Sequence, residues 1–348
     1  MPSHISHALL ADEVLSRVGA EGLRVVNSPE IAGDPRVRAI LTAGAQGPDF
    51  FLHNHRRLPR GFRYGALLHR KGNAPLLRSL AESTAIAECP EDLTAYALGY
   101  ITHVWFDRLA HPYINWSAGW RGTPDNHPDR PAMHAFLERL IDVQLLRLRK
   151  DQSVRQFAFA QRLPRRASDF FRMRGYLVAA LQAALVSAAD DSQLPRRLLN
   201  ALHDSLAFYK FTEAPSERYF TVARLRERRG EVSSRWLAIV HPPEEQITVD
   251  ALNLEHRRWA HPCDPERTSA ADMGDLFDQA LSRSVTTFET WSLAVQEPSE
   301  AHLQAIEEDV GAENLNDGIA TDPPCRRTYC EPLPLIELYH ELKARFDR

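Results

Sequence analysis

Hydrophobic residues recur along this chain mostly at the spacing of amphipathic helices. In the first such segment, positions 9, 10, 14, 15 and 18 are apolar, which places their side chains on one face of an α-helix. Similar patterns predict helices over 5–18, 35–43, 76–87, 90–111, 131–150, 168–188, 195–208, 215–229, 269–295 and 335–346. Only 236–240 has the pattern of a short strand, which is too little for a sheet. The sequence therefore predicts an all-α fold.

The breaks between these segments follow from proline, glycine and small polar residues. Pro112 is expected to end the helix over 90–111, because the residue before a proline is biased away from helical backbone angles. Residues 117–130 are rich in Gly, Pro, Asn and Asp and predict a loop. A soft boundary at 153–166 divides a histidine-rich core, 1–152, from an arginine-rich second half, 153–348. We expect the second half to be helical as well and to pack on the core as one globular unit.

Composition places the chain among ordinary globular proteins. It has 348 residues, of which 44% are hydrophobic and 25% are charged, so it is able to bury a large core. A net charge of −4 gives no general attraction to nucleic acid, and no stable nucleic-acid partner is expected. The longest weakly charged stretch, 175–189, is too short for a transmembrane segment. The N-terminal residues do not resemble a signal peptide.

The four cysteines predict reduced thiols in a cytoplasmic protein, because they form no dense disulfide framework. Cys325 and Cys330 lie close together, but a C-x-x-x-x-C spacing without a second pair is a weak signal for a zinc knuckle. We therefore expect free thiols at both positions.

The most informative chemistry lies inside the helix predicted over 90–111. His103, Asp107 and His111 follow one another at steps of four residues. Each such step advances only about 40° around a helix, so the three side chains form one stripe. Apolar Val104 and Phe106 lie off that stripe and are free to face the core. Imidazole nitrogens beside a carboxylate are the ligands that a zinc-type ion takes in proteins.

A second helix carries metal-ligand residue types at the same spacing. His134 and Glu138 are four residues apart and share a helix face. Nine of the 15 histidines fall between positions 4 and 134. A single histidine on an apolar face is usually a hydrogen-bonded core residue, but two helices that both present ligand types favour a metal site.

Further candidates raise the number of metal ions expected. His7 lies on the first predicted helix, Asp49 follows the turn at 47–48, and His69 ends a short apolar segment. The complete set of nitrogen and oxygen ligand types is His7, Asp49, His69, His103, Asp107, His111, His134 and Glu138. One tetrahedral zinc takes four ligands, so a set twice that size indicates two or three ions that share carboxylates. Zinc is inferred from ligand type, since manganese or iron accepts the same donors.

With these residues the chain resembles the bacterial zinc-dependent phospholipase C family, which is related in fold to the fungal single-strand-specific zinc nucleases. The matching motifs are Ser6-His7, Gly47-Pro48-Asp49, Leu68-His69, His103-x-x-x-Asp107-x-x-x-His111-Pro112 and His134-x-x-x-Glu138. A later segment, from Asn253 to Pro262, is similar to one found in uncharacterised bacterial members. The resemblance covers most of the chain, and its chemically specific part ends near Glu138.

The resemblance implies a multi-helix bundle with a helical C-terminal extension and a zinc cluster in a cleft. The ligands it implies fall into three groups: His69, His103 and Asp107 with Asp49 as a bridge, then His111, His134 and Glu138, then His7 with Asp107. The third group departs from the family pattern, because secreted members complete it with an N-terminal Trp. Here the first Trp is Trp105, and His4 is a nearby substitute ligand.

The activity that the resemblance implies is hydrolysis of phosphate esters, by a phospholipase C-like phosphodiesterase that uses a hydroxide activated by the metals. Paired zinc ions lower the pKa of a shared water and polarise a phosphoryl oxygen. Asp49 is the expected catalytic residue, because a carboxylate beside that water orients or deprotonates it. The expected substrate is a small phosphate ester or a phospholipid head group.

Two other functions remain open on the sequence alone. The same cluster would serve a nuclease or nucleotide phosphodiesterase, which is favoured if the basic segment 147–174 faces the metals. A non-catalytic metal-binding helical scaffold would instead have a closed site with no position for water. His53, His55 and His127 lie in polar stretches and are expected at the surface or beside the site rather than as ligands. Trp116 and Trp120 follow His111 and either line a pocket, even one for a choline-like cation, or pack as part of a lid.

Overall fold

The computed structural model describes residues 4–20, 27–123, 127–212, 225, 227, 229, 230 and 235–346. Helix accounts for 66% and strand for 3%, which confirms the predicted all-α fold. The helices of the first half are α1 (His4–Ala20), α2 (Ser28–Gly33), α3 (Pro35–Gly44), α4 (Asp49–Leu52), α5 (Phe62–Leu68), α6 (Asn73–Thr84), α7 (Pro90–Ala118) and α8 (Arg130–Lys150). Those of the second half are α9 (Val154–Phe157), α10 (Phe159–Arg162), α11 (Arg174–Ala184), α12 (Val186–Ala189), α13 (Leu194–Thr212), α14 (Met273–Gln296), α15 (Glu300–Val310) and α16 (Leu335–Phe346).

Shorter elements connect these helices. The 3₁₀ helices span Ala167–Phe170, Trp236–Ile239 and Glu244–Gln246. Strands β1 (Trp259–His261) and β2 (Asp264–Ser269) form an antiparallel hairpin, in which Trp259 pairs with Ser269 and Ala260 with Thr268.

Two of the helices begin where the sequence supplies a capping side chain. The Asp34 carboxylate accepts a hydrogen bond of 2.8 Å from the backbone N–H of Arg36, and Pro35 occupies the first turn of α3. Asp272 caps α14 in the same way, by accepting from the N–H of Asp275 at 2.7 Å. These side chains satisfy N–H groups that have no partner within the helix, and they therefore set where each helix starts.

Helix α7 is central and packs most extensively against α3 and α14. Nearly all of its residues from Asp92 to Ala118 are buried. At Gly99 the backbones of α7 and α3 approach closely, because a Cβ atom there would lie 2.3 Å from the carbonyl oxygen of Leu41. A single hydrophobic core includes side chains of both halves of the chain. The close crossing brings the end of α3 beside the middle of α7.

The predicted end of this helix at Pro112 is wrong, because α7 continues to Ala118. A proline inside a helix removes one N–H, here the donor to the carbonyl of Arg108. Gly318 packs against that carbonyl so closely that a Cβ atom there would lie 2.7 Å from the Arg108 oxygen. Its φ is +68°. Packing around a buried turn thus overrides the local preference, and the predicted loop 117–130 starts later than expected.

Three other predicted elements differ from the structure. Residues 236–239 form a 3₁₀ helix rather than a strand, since Trp236, Leu237 and Ala238 are buried in succession and do not alternate. The helix predicted over 168–188 is divided into a 3₁₀ turn, α11 and α12, with Leu185 extended and buried between the last two. The helix predicted from 269 begins at Met273, after β2 and the Asp272 cap. The helix predicted over 215–229 lies outside the described residues, apart from isolated positions.

The prediction of reduced thiols is wrong for one pair of cysteines. Cys263, in the turn of the hairpin, forms a disulfide with Cys325, and their Cα atoms are 6.1 Å apart. Cys89 and Cys330 are free, as predicted. The bond joins positions 62 residues apart, and no local spacing in the sequence indicates it. It ties the segment before α16 to the hairpin.

None of the helices in the described part of the chain is both long enough and apolar enough to cross a membrane.

Candidate metal centre

The ligand-type side chains chosen from the sequence come from five segments of the fold and lie in three adjoining groups. The groups are His7, His103 and Asp107, then Asp49, His69 and His103, then His111, His134 and Glu138. Within each group, one nitrogen or oxygen atom per residue lies within 4.8 Å of the others. Helix α1 supplies the first histidine, α4 and the end of α5 the next two residues, and α7 and α8 the remainder.

Asp107 belongs to the first group and borders the second. Its Oδ1 is 3.2 Å from Nε2 of His7, and its Oδ2 is 3.1 Å from Nε2 of His103. Oδ2 also lies 3.7 Å from Nε2 of His69. Both oxygens of one buried carboxylate therefore face imidazole nitrogens from three different helical segments.

Asp49 and His69 complete this side of the centre. Asp49 is the first residue of α4, directly after the turn at 47–48, and its Oδ1 is 3.2 Å from Nε2 of His69. The φ of Gly47 is +50°, and a Cβ there would lie 2.5 Å from the ring of His103. Glycine adopts that conformation with the least strain, and only glycine leaves that space, so the turn sets both Asp49 and the His103 ring.

The third group joins α7 to α8. Nε2 of His134 is 2.9 Å from Oε1 of Glu138, and Nε2 of His111 is 3.6 Å from the same oxygen. Nδ1 of His111 lies 3.7 Å from Oδ2 of Asp107. The stripe on α7 therefore runs from the first groups to this one. The His134 side chain is 26% exposed and is the most open of these ligands.

Backbone carbonyls orient the rings of three of the histidines. Nδ1 of His69 donates to the carbonyl of Gly65 at 2.8 Å, and Nδ1 of His103 donates to the carbonyl of Ala45 at 3.1 Å. Nδ1 of His111 donates to the carbonyl of Leu315. Because a carbonyl only accepts, Nδ1 of each ring carries a proton, and in the neutral ring Nε2 then has the lone pair. This is the arrangement in which histidine binds a metal ion.

The charges of the centre favour ionised carboxylates. Burial alone would raise the pKa of Asp107, but His103 and His111 hold it well below its usual range. Burial likewise opposes ionisation of Asp49, yet the neighbouring imidazoles of His69 and His103 lower its pKa. In return, the carboxylates raise the pKa values of His69, His103 and His111 against the effect of burial. Anionic oxygens beside imidazoles form a site for a cation.

Buried nitrogen and oxygen atoms that lack a hydrogen-bond partner indicate whether the site suits a metal ion. Among the residues that the structure describes, Asp49 Oδ1, His103 Nε2 and Asp107 Oδ2 are buried without a hydrogen-bond partner. Leaving such atoms unpaired costs about 1–3 kcal/mol each, and here they face one another. A cation placed among them would take these lone pairs. The donor set contains nitrogen and oxygen and no sulfur, which suits zinc, manganese or iron.

A segment that the sequence analysis did not single out holds two of these ligands in place. The N–H of Leu315 and the side-chain amide of Asn316 donate to the carbonyl of His69, at 2.8 and 2.9 Å. Asn115 of α7 donates to the carbonyl of Asn316 at 2.8 Å. Leu315 also accepts the bond from His111, 204 residues earlier. The segment has no periodic pattern, so nothing in its sequence indicates this role.

His4 lies away from the three groups, in a second buried polar cluster. Its Nδ1 accepts a hydrogen bond of 2.7 Å from Arg139, and the cluster includes Asp142 and His241. Asp142 accepts from the backbone N–H and hydroxyl of Ser6, at 2.7 and 2.8 Å. These bonds fix the first turn of α1, which carries His7. His4 therefore belongs to a network that positions a ligand.

The histidines set aside from the sequence differ in environment. His55 is exposed, as expected. His53 is buried at the end of α4 rather than at the surface, with its ring stacked on Phe208 at 4.0 Å between centroids. His127 lies with Asp129 and His340 in a more exposed group.

An open cleft of about 670 Å³ adjoins the centre. It is lined by Leu52, Ala66, His69, Arg70, His111, Trp120, His134, Asn316, Pro324, Cys325 and Arg327. Three of the candidate ligand histidines thus face the cleft, as does Trp120, whereas Trp116 is buried and is not among the lining residues. None of the cleft-lining residues in the described part of the chain comes from the basic segment 147–174.

That basic segment is paired with acids elsewhere. Arg149 contacts Glu13 at 2.6 Å and Asp278 at 2.9 Å. Arg162 contacts Asp12 at 2.5 Å. These cations stabilise contacts between helices and do not face the metal ligands.

No family model, no curated protein and no solved structure matches this chain.

Proposed function

We propose that this protein is a metal-dependent hydrolase of phosphate esters, a phospholipase C-like phosphodiesterase with two or three zinc ions. The observation that carries the proposal is the convergence of buried nitrogen and oxygen donors beside an open cleft. A structural zinc site is closed by its ligands, whereas a catalytic one keeps a position open for water or substrate. The cleft supplies that access.

The chain's own residues hold and orient the reacting groups. Bound zinc ions would supply the Lewis acidity that lowers the pKa of a water molecule and polarises a phosphoryl oxygen. Asp49, whose pKa is lowered, is ionised at neutral pH and is able to accept a proton from the attacking water. Attack forms a P–O bond to the water oxygen and breaks the ester P–O bond. The leaving alkoxide then takes up a proton.

The candidate ligands differ in burial, and we assign them different roles accordingly. His7, His103 and Asp107 are almost completely buried and serve to hold the centre. His134 is partly exposed and lines the cleft, so substrate oxygens approach from its side. A nuclease is less well supported, because the basic segment 147–174 contributes nothing to the cleft lining in the described part of the chain.

Metal content per chain tests the centre. We expect about two or three zinc equivalents by mass spectrometry in protein purified without a chelator or a histidine tag. His111→Ala is expected to lose about one equivalent, because it removes a ligand of the third group. His55→Ala, an exposed histidine, is the matched control and keeps the full content. One equivalent or fewer, unchanged in His111→Ala, would show that no cluster assembles.

Hydrolysis of bis(p-nitrophenyl) phosphate tests the chemistry. In Asp49→Asn we expect the circular dichroism of the wild type and a rate lower by about 100-fold or more, the usual contribution of a positioned base. Full activity of that variant would remove Asp49 from the mechanism. A wild type that holds its metals but cleaves no phosphate ester would be a binding scaffold.

A further inference from the structure

Arg327 is a half-buried cation in the wall of the cleft. It lines the same cavity as His69, His111 and His134, and burial lowers its pKa. Within the described part of the chain, no carboxylate oxygen lies within 4 Å of its guanidinium. A guanidinium withdrawn from water is costly unless an anion compensates it. The cleft is where such an anion has room.

The carboxylate whose charge acts on Arg327 is already engaged elsewhere. Oδ1 of Asp317 accepts from the amide of Asn314 at 2.6 Å and from the N–H of Ile319 at 3.1 Å. Its Oδ2 accepts from the N–H of Cys325 at 3.1 Å. Asp317 therefore fixes the fold of its own loop and remains more than an ion-pair distance from Arg327.

The other arginine of the cleft is compensated. Nε of Arg70 lies 3.0 Å from Oδ1 of Asp322, and Lys71 lies 2.6 Å from the same carboxylate. Arg70 thus belongs to a surface ion-pair network. Of the two cleft arginines, Arg327 is therefore the one whose positive charge is available to a ligand.

The backbone around Arg327 is fixed on both sides. Cys325, two residues before it, is bonded to Cys263 of the hairpin. The N–H groups of Thr328 and Tyr329 donate to the carbonyl of Pro262, at 2.7 and 3.0 Å. A side chain on a fixed backbone loses less conformational entropy when it binds. The backbone of Arg327 is therefore held in place before any ligand binds.

We propose that Arg327 binds a second anionic group of the substrate. The preferred substrates are then phosphate esters whose alcohol carries a further phosphate or a carboxylate. This inference rests on the proposed function. A cationic head group such as choline is disfavoured, because the described residues that line the cleft include two arginines and no carboxylate.

Three p-nitrophenyl phosphodiesters that share one leaving group test this inference. The second alcohol esterified to phosphorus is ethanol, choline or 2-phosphoethanol, so the three esters differ in carrying a neutral, a cationic or an anionic substituent. We expect the highest kcat/KM for the ester with the anionic substituent. In Arg327→Gln, the ratio of kcat/KM for the anionic ester to that for the neutral ester should fall by about 30-fold, mainly through KM. Arg327→Lys should restore part of that ratio, because it retains the charge but not the forked donor.

The neighbouring Arg326→Gln is the matched control. Arg326 is exposed and does not line the cleft, so its loss changes the net charge equally but leaves the ratio unchanged. A wild type that cleaves the neutral ester without preferring the anionic one would overturn the role of Arg327, and so would an unchanged ratio in Arg327→Gln. Failure on all three esters by metal-loaded protein would instead reject the proposed function.

A second pair of substrates distinguishes a soluble ester from a lipid as the source of this head group. Glycerophosphoinositol 4-phosphate and vesicles of phosphatidylcholine with phosphatidylinositol 4-phosphate present the same doubly anionic head group. Cleavage of both identifies a lipid head group as an accessible source, and cleavage of the soluble ester alone identifies a soluble one. Cleavage of neither, by protein that hydrolyses the neutral ester, contradicts the inference.

Discussion

At the scale of single residues, three of the candidate ligand histidines differ from the buried His53 in the partner of Nδ1. His69, His103 and His111 each donate from Nδ1 to a backbone carbonyl and present Nε2 to a carboxylate. His53 is also buried, but neither ring nitrogen has a hydrogen-bond partner among the described residues. Its ring stacks on Phe208. Burial therefore lowers the pKa of His53 to about 3, and the ring remains neutral in the folded protein.

This environment predicts a pH dependence of stability. Between pH 6.5 and about 3, the unfolded chain binds a proton at His53 that the folded chain excludes. Stability is therefore lost as the pH falls through that window. His53→Gln removes this proton uptake, so the slope of unfolding free energy against pH should decrease by about 1.4 kcal/mol per pH unit. Urea unfolding at a series of pH values measures it. His55→Gln, at an exposed position, should run parallel to the wild type, and a parallel line for His53→Gln would refute the prediction.

At the scale of elements, α7 shows what local pattern is able to predict. The stripe of His103, Asp107 and His111 follows from the helical repeat, so spacing alone brought these residues to one face. The end of the helix does not follow from local pattern, because the turn at Pro112 is supported by packing against Gly318. The crossing of α3 and α7 at Gly99 was also invisible in the sequence, since a glycine in a helical pattern does not reveal which backbone approaches it.

The crossing predicts a strong response to one added methyl group. In Gly99→Ala the new Cβ would lie 2.3 Å from the Leu41 oxygen and 2.4 Å from the Ala45 nitrogen. Moving the helices apart should cost about 1–3 kcal/mol and weaken the bond from His103 to the Ala45 carbonyl. We expect a lower urea midpoint and reduced metal content. Gly175→Ala, in α11, has nothing within 4 Å and should be neutral or slightly stabilising. Equal stabilities of the two variants would contradict the close crossing.

At the scale of the whole molecule, the segment from Glu313 to Leu333 connects distant parts of the fold. It bonds to His69 and His111, pairs Cys325 with Cys263, and reaches the end of α7, where Leu333 donates to the carbonyl of Ser117. Sequence reasoning found five of the candidate ligands because they repeat at helical spacing on α7 and α8. It could not find this segment, because its contacts depend on chain positions up to 252 residues away.

Alanine substitutions at two glycines with positive φ, one inside this segment and one outside it, test whether docking of the segment stabilises the centre. Gly318 and Gly122 both have positive φ, +68° and +92°, so alanine at either position costs about 1–2 kcal/mol in backbone conformation. Only Gly318→Ala also places a Cβ 2.7 Å from the Arg108 oxygen, whereas Gly122 has nothing within 4 Å. We expect Gly318→Ala to be the less stable and to release zinc faster to a chelator. Identical zinc release by both variants would show that docking of the segment does not govern the centre.

The bond from His111 to the carbonyl of Leu315 has a consequence for the order in which the protein is made. A ribosome completes all the ligand residues, from His7 to Glu138, long before it adds Leu315. Until that residue emerges and docks, the His111 ring lacks the carbonyl that orients it, and the backbone carbonyl of His69 lacks its two donors. Under the proposed function, metal uptake would therefore be coupled to late synthesis, because binding depends on a folded ligand set. A nascent chain arrested before residue 313 would carry every candidate ligand and still hold the His111 ring loosely.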